Sequence, residues 1–147
     1  MKDQETRQLV RHVTDNADAY RAYLRGRFDW HQRSEPSLKR AIEHFQRTVE
    51  IDPSFAPAYS GLADCHATLG YLSLLAPRDA FPAARRHATK ALELDGSLAE
   101  AHASLGFVKL YFDWDWPGAE AEFQRAIALD PNYAASRKML YHSWEAA

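Results

Sequence analysis

AIEHFQRTVEIDPSF (residues 41–55), ARRHATKALELDGSL (residues 84–98) and AEAEFQRAIALDPNY (residues 119–133) are three versions of one pattern. They align without gaps, and each ends in Asp, a helix-breaking residue and a small polar residue. Small or apolar residues recur at steps of four and three, so they share one helical face, and the charged residues between them face solvent. The pattern predicts three amphipathic helices that stop at Pro53, Gly96 and Pro131, with Gly96 in a left-handed conformation.

A further helical pattern follows each stop: FAPAYSGLADCHATLG, LAEAHASLGFVKLYF and YAASRKMLYHSW. Small residues, Ala63 and Gly106, hold equivalent places in the first two, where they would let two helix axes approach closely. The loop segment GYLSLLAPRDAFP lengthens the middle unit, and there we predict a helix capped by Asp79 with Pro82 in its first turn. The order of elements predicts antiparallel helical hairpins.

These features resemble the tetratricopeptide repeat (TPR) family, whose period is about 34 residues and whose motif combines Leu-Gly with later Ala, Phe, Ala and Pro positions. The last full repeat matches through Leu105, Gly106, Ala119, Phe123, Ala126 and Pro131. His102 and Lys109 there, and His66, Ala88 and Gly96 in the middle repeat, replace motif residues. The first repeat fits with either Leu24 or Gly26 at the glycine position. The resemblance implies an all-α, right-handed solenoid of antiparallel hairpins.

The expected domain organisation is an N-terminal flanking helix over residues 1–16 and a TPR-like domain over residues 17–147. Leu9, Val10 and Val13 share one face of the flanking helix. The repeats span about 18–53, 54–96 and 97–131, followed by the first helix of a truncated fourth over 132–147. More narrowly, the chain resembles TPR regions of larger bacterial signalling proteins, which implies a regulatory or scaffolding part.

The resemblance also implies a binding surface, because the first helices of stacked hairpins line a concave groove suited to a peptide or helix. The partner would be a protein or peptide. The residues expected to face the groove are Tyr23, Arg27, Trp30, Ser60, Asp64, Ala67, Phe107, Leu110 and Tyr111. An alternative is that the aromatic residues pack between helices. Chaperone-binding family members grip a terminal carboxylate with Lys, Asn and Arg, and Ser60 and Asp64 do not fit that clamp.

Two other segments carry alternatives. Met139, Leu140, Tyr141 and Trp144 give the C-terminal segment an apolar face without a successor, which suggests self-association into a homodimer as the second function. In DWDWPG, Trp114 and Trp116 either anchor a partner or, as we favour, fold onto the neighbouring hairpin. Asp113 or Asp115 would cap the helix that follows.

Several functions are disfavoured by composition. A net charge of −2 provides no field for nucleic acid, and no apolar run is long enough for a membrane span. The one cysteine, Cys65, is expected to be a small core residue, and its neighbour His66 points elsewhere on a helix. The seven histidines show no metal-binding spacing, and phosphate loops are absent. We therefore predict no cofactor, no metal and no catalysis, with the cytoplasm as the default location.

Overall fold

A computed structural model of the protein describes residues 16–133. In that range the chain forms helices and no strand. The helices are α1 (Ala17–Gln32), α2 (Glu35–Ile51), α3 (Ala56–Tyr71), α4 (Pro77–Leu94), α5 (Ala99–Tyr111) and α6 (Trp116–Leu129). None of these helices is long and apolar enough to cross a membrane. The flanking helix, the truncated fourth repeat and the self-association residues Met139, Leu140, Tyr141 and Trp144 were predicted outside the described residues.

The helices pair as three antiparallel hairpins, α1–α2, α3–α4 and α5–α6. The first helices form a continuous row, because α3 contacts both α1 and α5. Within residues 16–133 the second helices α2, α4 and α6 make no contact with one another. First helices that touch and second helices that splay apart give a curved stack with the first helices on its inner face. The predicted all-α solenoid is confirmed.

Three helices, α1, α2 and α6, begin at a residue whose side chain caps the first turn. Asn16 accepts hydrogen bonds from the backbone N–H of Asp18 and Ala19 at 2.9 and 3.2 Å. Of the two candidate caps before α6, Asp115 is the one used, since its carboxylate accepts from the Gly118 N–H at 3.0 Å. The prediction for α4 was wrong in its start. Pro77 begins that helix with Ala76 as N-cap, because its fixed φ suits a first turn, so Pro82 lies inside the helix.

The second helices α2, α4 and α6 all end in the same way. Asp52, Asp95 and Asp130 each stand in an extended conformation after the last helical residue. Their carboxylates accept hydrogen bonds from the backbone N–H two residues later, at 3.0–3.1 Å. The predicted left-handed Gly96 was wrong, since no described glycine has a positive φ. The extended aspartate already ends the helix, so the residue after it has no need of a left-handed conformation.

Close contact between a glycine and a phenylalanine fixes the register of the first and third hairpins. A Cβ added at Gly106 would lie 2.6 Å from the Phe123 ring, and one added at Gly26 would lie 2.6 Å from the Phe45 ring. Gly26 is therefore the equivalent of Gly106, which settles the register of the first repeat against Leu24. In the middle repeat Ala63 and Ala88 take these two positions, and both are fully buried.

The family motif has an aromatic residue in the first helix, about one turn after the small residue that contacts the second helix. In this chain a polar residue stands there and pairs with a polar residue of the second helix. Asp29, His66 and Lys109 hold this position and face equivalent residues of the second helix. Asp29 lies 3.4 Å from His44, the His66 and His87 rings lie 5.2 Å apart, and Lys109 lies 3.0 Å from Glu122. His102 adds a 2.8 Å contact to Glu122. Each hairpin therefore closes around a polar pair of different chemistry.

These pairs shift two titrations. Burial, with smaller contributions from His66 and Arg86, lowers the pKa of His87 to about 4. Burial tends to raise the pKa of Glu122, but hydrogen bonds from His102 and Lys109 and the charge of Lys109 together lower it below its usual value. Because the pKa of each group differs between the folded and the unfolded chain, the stability of each hairpin depends on pH.

Candidate protein-binding groove

The inner face is built from equivalent positions of α1, α3 and α5. With Gly26, Ala63 and Gly106 aligned, Arg27 corresponds to Asp64 and Phe107, and Trp30 corresponds to Ala67 and Leu110. Each set lies side by side across the three first helices, because the hairpins repeat with one geometry. The chemistry of the inner face therefore changes from charged at the first two repeats to apolar at the third.

A polar bridge joins the three first helices. The Arg27 Nη1 donates to Asp64 Oδ2 at 2.7 Å, and the Ser104 hydroxyl donates to Asp64 Oδ1 at 2.6 Å. Arg27 Nε also donates to the Tyr23 hydroxyl at 3.1 Å. A carboxylate shared by a guanidinium and a hydroxyl is well satisfied in a partly desolvated site. Asp64 thus links the first, second and third repeats.

Aromatic rings enclose the guanidinium of Arg27. Its Cζ lies 5.5 Å from the Tyr23 and Trp30 ring centres and 5.6 Å from that of Phe45. Desolvation acts to lower the pKa of Arg27, but the charge and hydrogen bond of Asp64, together with Tyr23, raise it on balance. The arginine therefore stays charged, and its charge is matched by Asp64.

A second aromatic group lies between α3 and α5, and we name Tyr71, Phe107 and Tyr111 the aromatic seam. Ring centres are 5.6 Å apart for Tyr71 and Phe107, 5.0 Å for Tyr71 and Tyr111, and 4.5 Å for Phe107 and Tyr111. Tyr71 is 55% exposed. Burial, followed by the neighbouring Tyr71, raises the pKa of the Tyr111 phenol. The seam presents aromatic surface in which the Tyr111 phenol stays neutral.

The residues predicted to face the groove fall into two groups. Tyr23, Arg27, Trp30, Phe107 and Tyr111 are half-buried and keep some accessible surface. Ser60, Asp64 and Leu110 are buried, as is Ala67. The Ser60 hydroxyl has no hydrogen-bond partner among the described residues. The buried group offers little surface to a partner, so the accessible part of the predicted site is aromatic apart from Arg27.

The two tryptophans before α6 differ. Trp116 packs, as predicted, but against the core cluster of its own hairpin, which contains Phe123, and not against the neighbouring hairpin. Packing was the wrong prediction for Trp114, which is 73% exposed and has a φ of 55°. The chain turns through a left-handed conformation there, and the indole is left exposed to solvent.

Sequence reasoning missed Tyr71, Thr68 and Ser104. Thr68 accepts a 3.3 Å hydrogen bond from the Trp30 indole N–H and so joins α3 to α1. Tyr71 follows Ala67 by one helical turn, and Ser104 precedes Phe107 by about one turn. Extending the groove-facing spacing by a turn at the end of α3 would have found Tyr71.

The described residues show no grouping of three or more His, Cys, Asp or Glu side chains able to hold a metal ion. Cys65 is fully buried in the core formed with Phe45 and Phe55, as predicted. Its burial, and to a smaller extent the charge of Asp64, raises the pKa of the thiol above its usual value. A protonated, enclosed thiol is a packing residue and a poor nucleophile.

No family model matches the sequence. Among curated proteins, the transcriptional regulator HilA of Salmonella typhimurium (strain LT2) and that of Salmonella typhi are each 26% identical over 130 residues. The match covers 88% of this chain and 23% of either regulator. The chain thus spans about a quarter of the length of these bacterial relatives.

Solved structures match the whole stack. The first TPR domain of Spaghetti (RPAP3), bound to the HSP90 peptide SRMEEVD, has a TM-score of 0.66 at 17% identity and covers 91% of this chain and 96% of its own. The Sgt2 TPR domain of Aspergillus fumigatus has a TM-score of 0.70 at 16% identity, with 90% and 81% covered. The TPR2B domain of yeast Sti1, in complex with pHsp70, has a TM-score of 0.66 at 17% identity, with 90% and 100% covered. The chain has the tetratricopeptide-repeat fold.

Proposed function

We propose that the chain is a non-catalytic interaction module that binds a peptide or helix of a partner protein along the inner face of α1, α3 and α5. The observation that carries the proposal is the aromatic seam. Exposed aromatic side chains commonly supply the anchor of a protein interface, since they bury a large area at little cost in conformational entropy. Tyr71 is the most exposed member of the seam.

Structures of the same fold support the mode of binding. RPAP3 TPR domains bind HSP90 and HSP70 peptides, SRMEEVD and SGPTIEEVD, and a Sti1 TPR domain occurs in complex with pHsp70. These peptides are short and end in acidic sequence. A segment of similar length would fit along three stacked first helices.

The charge of this inner face favours a different peptide chemistry. On the inner face Arg27 is paired with Asp64, and Lys109, which faces α6, is paired with Glu122. Neither cation is available to hold a terminal carboxylate without losing its present partner. We therefore propose a partner segment anchored by apolar or aromatic side chains, and we expect acidic peptides such as SRMEEVD to bind poorly.

A selection from a displayed random peptide library tests this proposal. Selected peptides should be enriched in apolar and aromatic residues, and they should compete with one another for the same face. Synthetic SRMEEVD serves as the contrasting probe. Enrichment of peptides with acidic C-termini, or binding of SRMEEVD with micromolar affinity, would contradict the proposed chemistry.

The similarity to HilA favours a place in a larger bacterial regulatory protein, with this chain as the part that receives the partner. The second candidate is self-association through Met139, Leu140, Tyr141 and Trp144, which lie outside the described residues. Sedimentation separates the two. A concentration-dependent dimer that Trp144→Asp abolishes favours self-association, whereas a monomer that binds selected peptides favours the groove.

A further inference from the structure

The face of α1 that points away from the other hairpins carries two large apolar side chains. Leu24 is 48% exposed and Phe28 is 68% exposed. Together with Arg21 and Arg25 they follow a spacing of three and four residues, so the four share one stripe of the helix. We name this stripe the outer face of α1.

The equivalent positions in the other two first helices, α3 and α5, are buried. Leu24 corresponds to Gly61 and Ser104, and Phe28 corresponds to Cys65 and Val108. All four of these equivalents are buried, Cys65 and Val108 completely. Arg21 and Arg25 likewise replace residues that are buried in the second repeat, Ala58 and Leu62.

The second helix of the preceding repeat packs against three of them, Gly61, Cys65 and Val108, whereas Ser104 donates a hydrogen bond to Asp64 of α3. A Cβ added at Gly61 would lie 2.6 Å from the Phe45 ring of α2, and Cys65 belongs to the same cluster as Phe45. Val108 packs with Phe81 and Ala84 of α4. In this fold, therefore, the equivalent of the outer face of α1 is a docking surface for a preceding helix.

We propose that residues 1–15 of this chain dock on the outer face of α1, in the place that α2 takes against α3 and α4 takes against α5. The segment carries Leu9, Val10 and Val13, and the register of α2 on α3, in which Phe45 lies against Gly61, would bring Leu9 and Val10 nearest to Leu24. A helix of 15 residues would be about 22 Å long, which is close to the length of α1.

Engineered disulfides test the placement. Leu9→Cys and Val10→Cys are each combined with Leu24→Cys, and Val10→Cys with Lys90→Cys is the matched control on the exposed side of α4. Cys65 does not compete, because it is fully buried and its thiol has a raised pKa. Oxidation at low protein concentration is followed by non-reducing electrophoresis and mass measurement.

We expect an intramolecular disulfide in at least one Leu24→Cys pair, formed roughly tenfold faster than in the Lys90→Cys control, since proximity raises the local thiol concentration. Equal rates in the test pairs and the control would overturn the proposal. So would disulfide-linked dimers as the main product, because they would identify a second copy as the occupant.

Hydrogen exchange gives an independent readout. Replacing Leu9, Val10 and Val13 by Ser should speed amide exchange in Ala17–Gln32 roughly tenfold, since a docked neighbour protects the helix beneath it. Exchange in α5 and α6 should stay unchanged. Unaltered exchange in α1 would overturn the proposal even if the cysteine pairs prove too distorted to close.

Discussion

Arg27 and Asp64 hold equivalent positions in the first two repeats, carry opposite charges and pair with 2.7 Å between Nη1 and Oδ2. A repeat protein that used the same residue at both positions would place like charges side by side on its inner face. Here the difference between repeats creates an ion pair that joins them. The pair also removes the cation that the groove would otherwise offer to an acidic ligand.

Asp64→Ala should destabilise the fold strongly. The side chains of Arg27 and Asp64 are only 18% and 10% exposed, so the change leaves a largely buried guanidinium without its partner. A loss of about 3 kcal/mol in the free energy of unfolding by urea is expected. Arg21→Ala, which breaks an exposed pair with Asp18, is the control and should cost about 0.5 kcal/mol or less. Equal losses in both variants would show that the Arg27–Asp64 ion pair contributes no more to stability than an exposed ion pair does.

Gly106→Ala should destabilise the last hairpin. The added Cβ would meet the Phe123 ring at 2.6 Å, so α5 and α6 must separate or the ring must move. A cost of about 1–3 kcal/mol is expected from overpacking. Gly96→Ala is the matched control, because the nearest atom lies 3.8 Å away and φ is not positive there. If chemical denaturation finds both variants as stable as the parent, the close contact between Gly106 and Phe123 is not needed for stability.

His87 should make stability depend on pH between about 6.5 and about 4. In that interval the unfolded state binds a proton at His87 that the folded state does not bind, so stability falls as pH falls. His87→Gln removes this contribution while all other titrating groups stay the same. Thermal melts from pH 7 to 5 should therefore show a smaller decline for the variant. A steeper decline in the variant would reverse the assigned sign.

Trp114→Gly should stabilise the chain. The residue has a φ of 55°, which costs a non-glycine residue roughly 1 kcal/mol, and its side chain is 73% exposed and has little packing to lose. Trp114→Ala is the control, since it removes the indole but keeps the backbone penalty. A higher melting temperature for Gly than for Ala is expected. If Ala gains as much as Gly, the exposed indole rather than the backbone is responsible.

The repeated pattern around Phe45 and Phe123 was enough to predict the all-α hairpins, because small residues at fixed spacing leave few ways to pack two helices. The register of the first repeat was not predictable, since Leu24 and Gly26 both suit the local pattern and only the distance to Phe45 separates them. The conformation of Gly96 was mispredicted because the helix was expected to end at the glycine. It ends instead at Asp95, whose carboxylate accepts a hydrogen bond from the Ser97 N–H.

The inner face was predictable in position but not in accessibility. Helical spacing placed Arg27, Asp64 and Phe107 in one row. Which of these side chains is buried depends on its contacts with the neighbouring repeats. Ser104 closes the bridge to Asp64 from the neighbouring repeat, so the burial of Asp64 depends on a contact 40 residues away in sequence. No local pattern carries that information.

The most direct measurement is the affinity of a selected peptide for the parent chain and for Tyr71→Ala, with Leu94→Ala on the exposed side of α4 as the control. The groove account predicts that Tyr71→Ala weakens binding roughly tenfold or more, as expected for an interface anchor, while Leu94→Ala leaves the Kd unchanged. Circular dichroism should show all three chains equally helical. An unchanged Kd in Tyr71→Ala, or equal weakening in both variants, would contradict the claim that partners bind on the inner face.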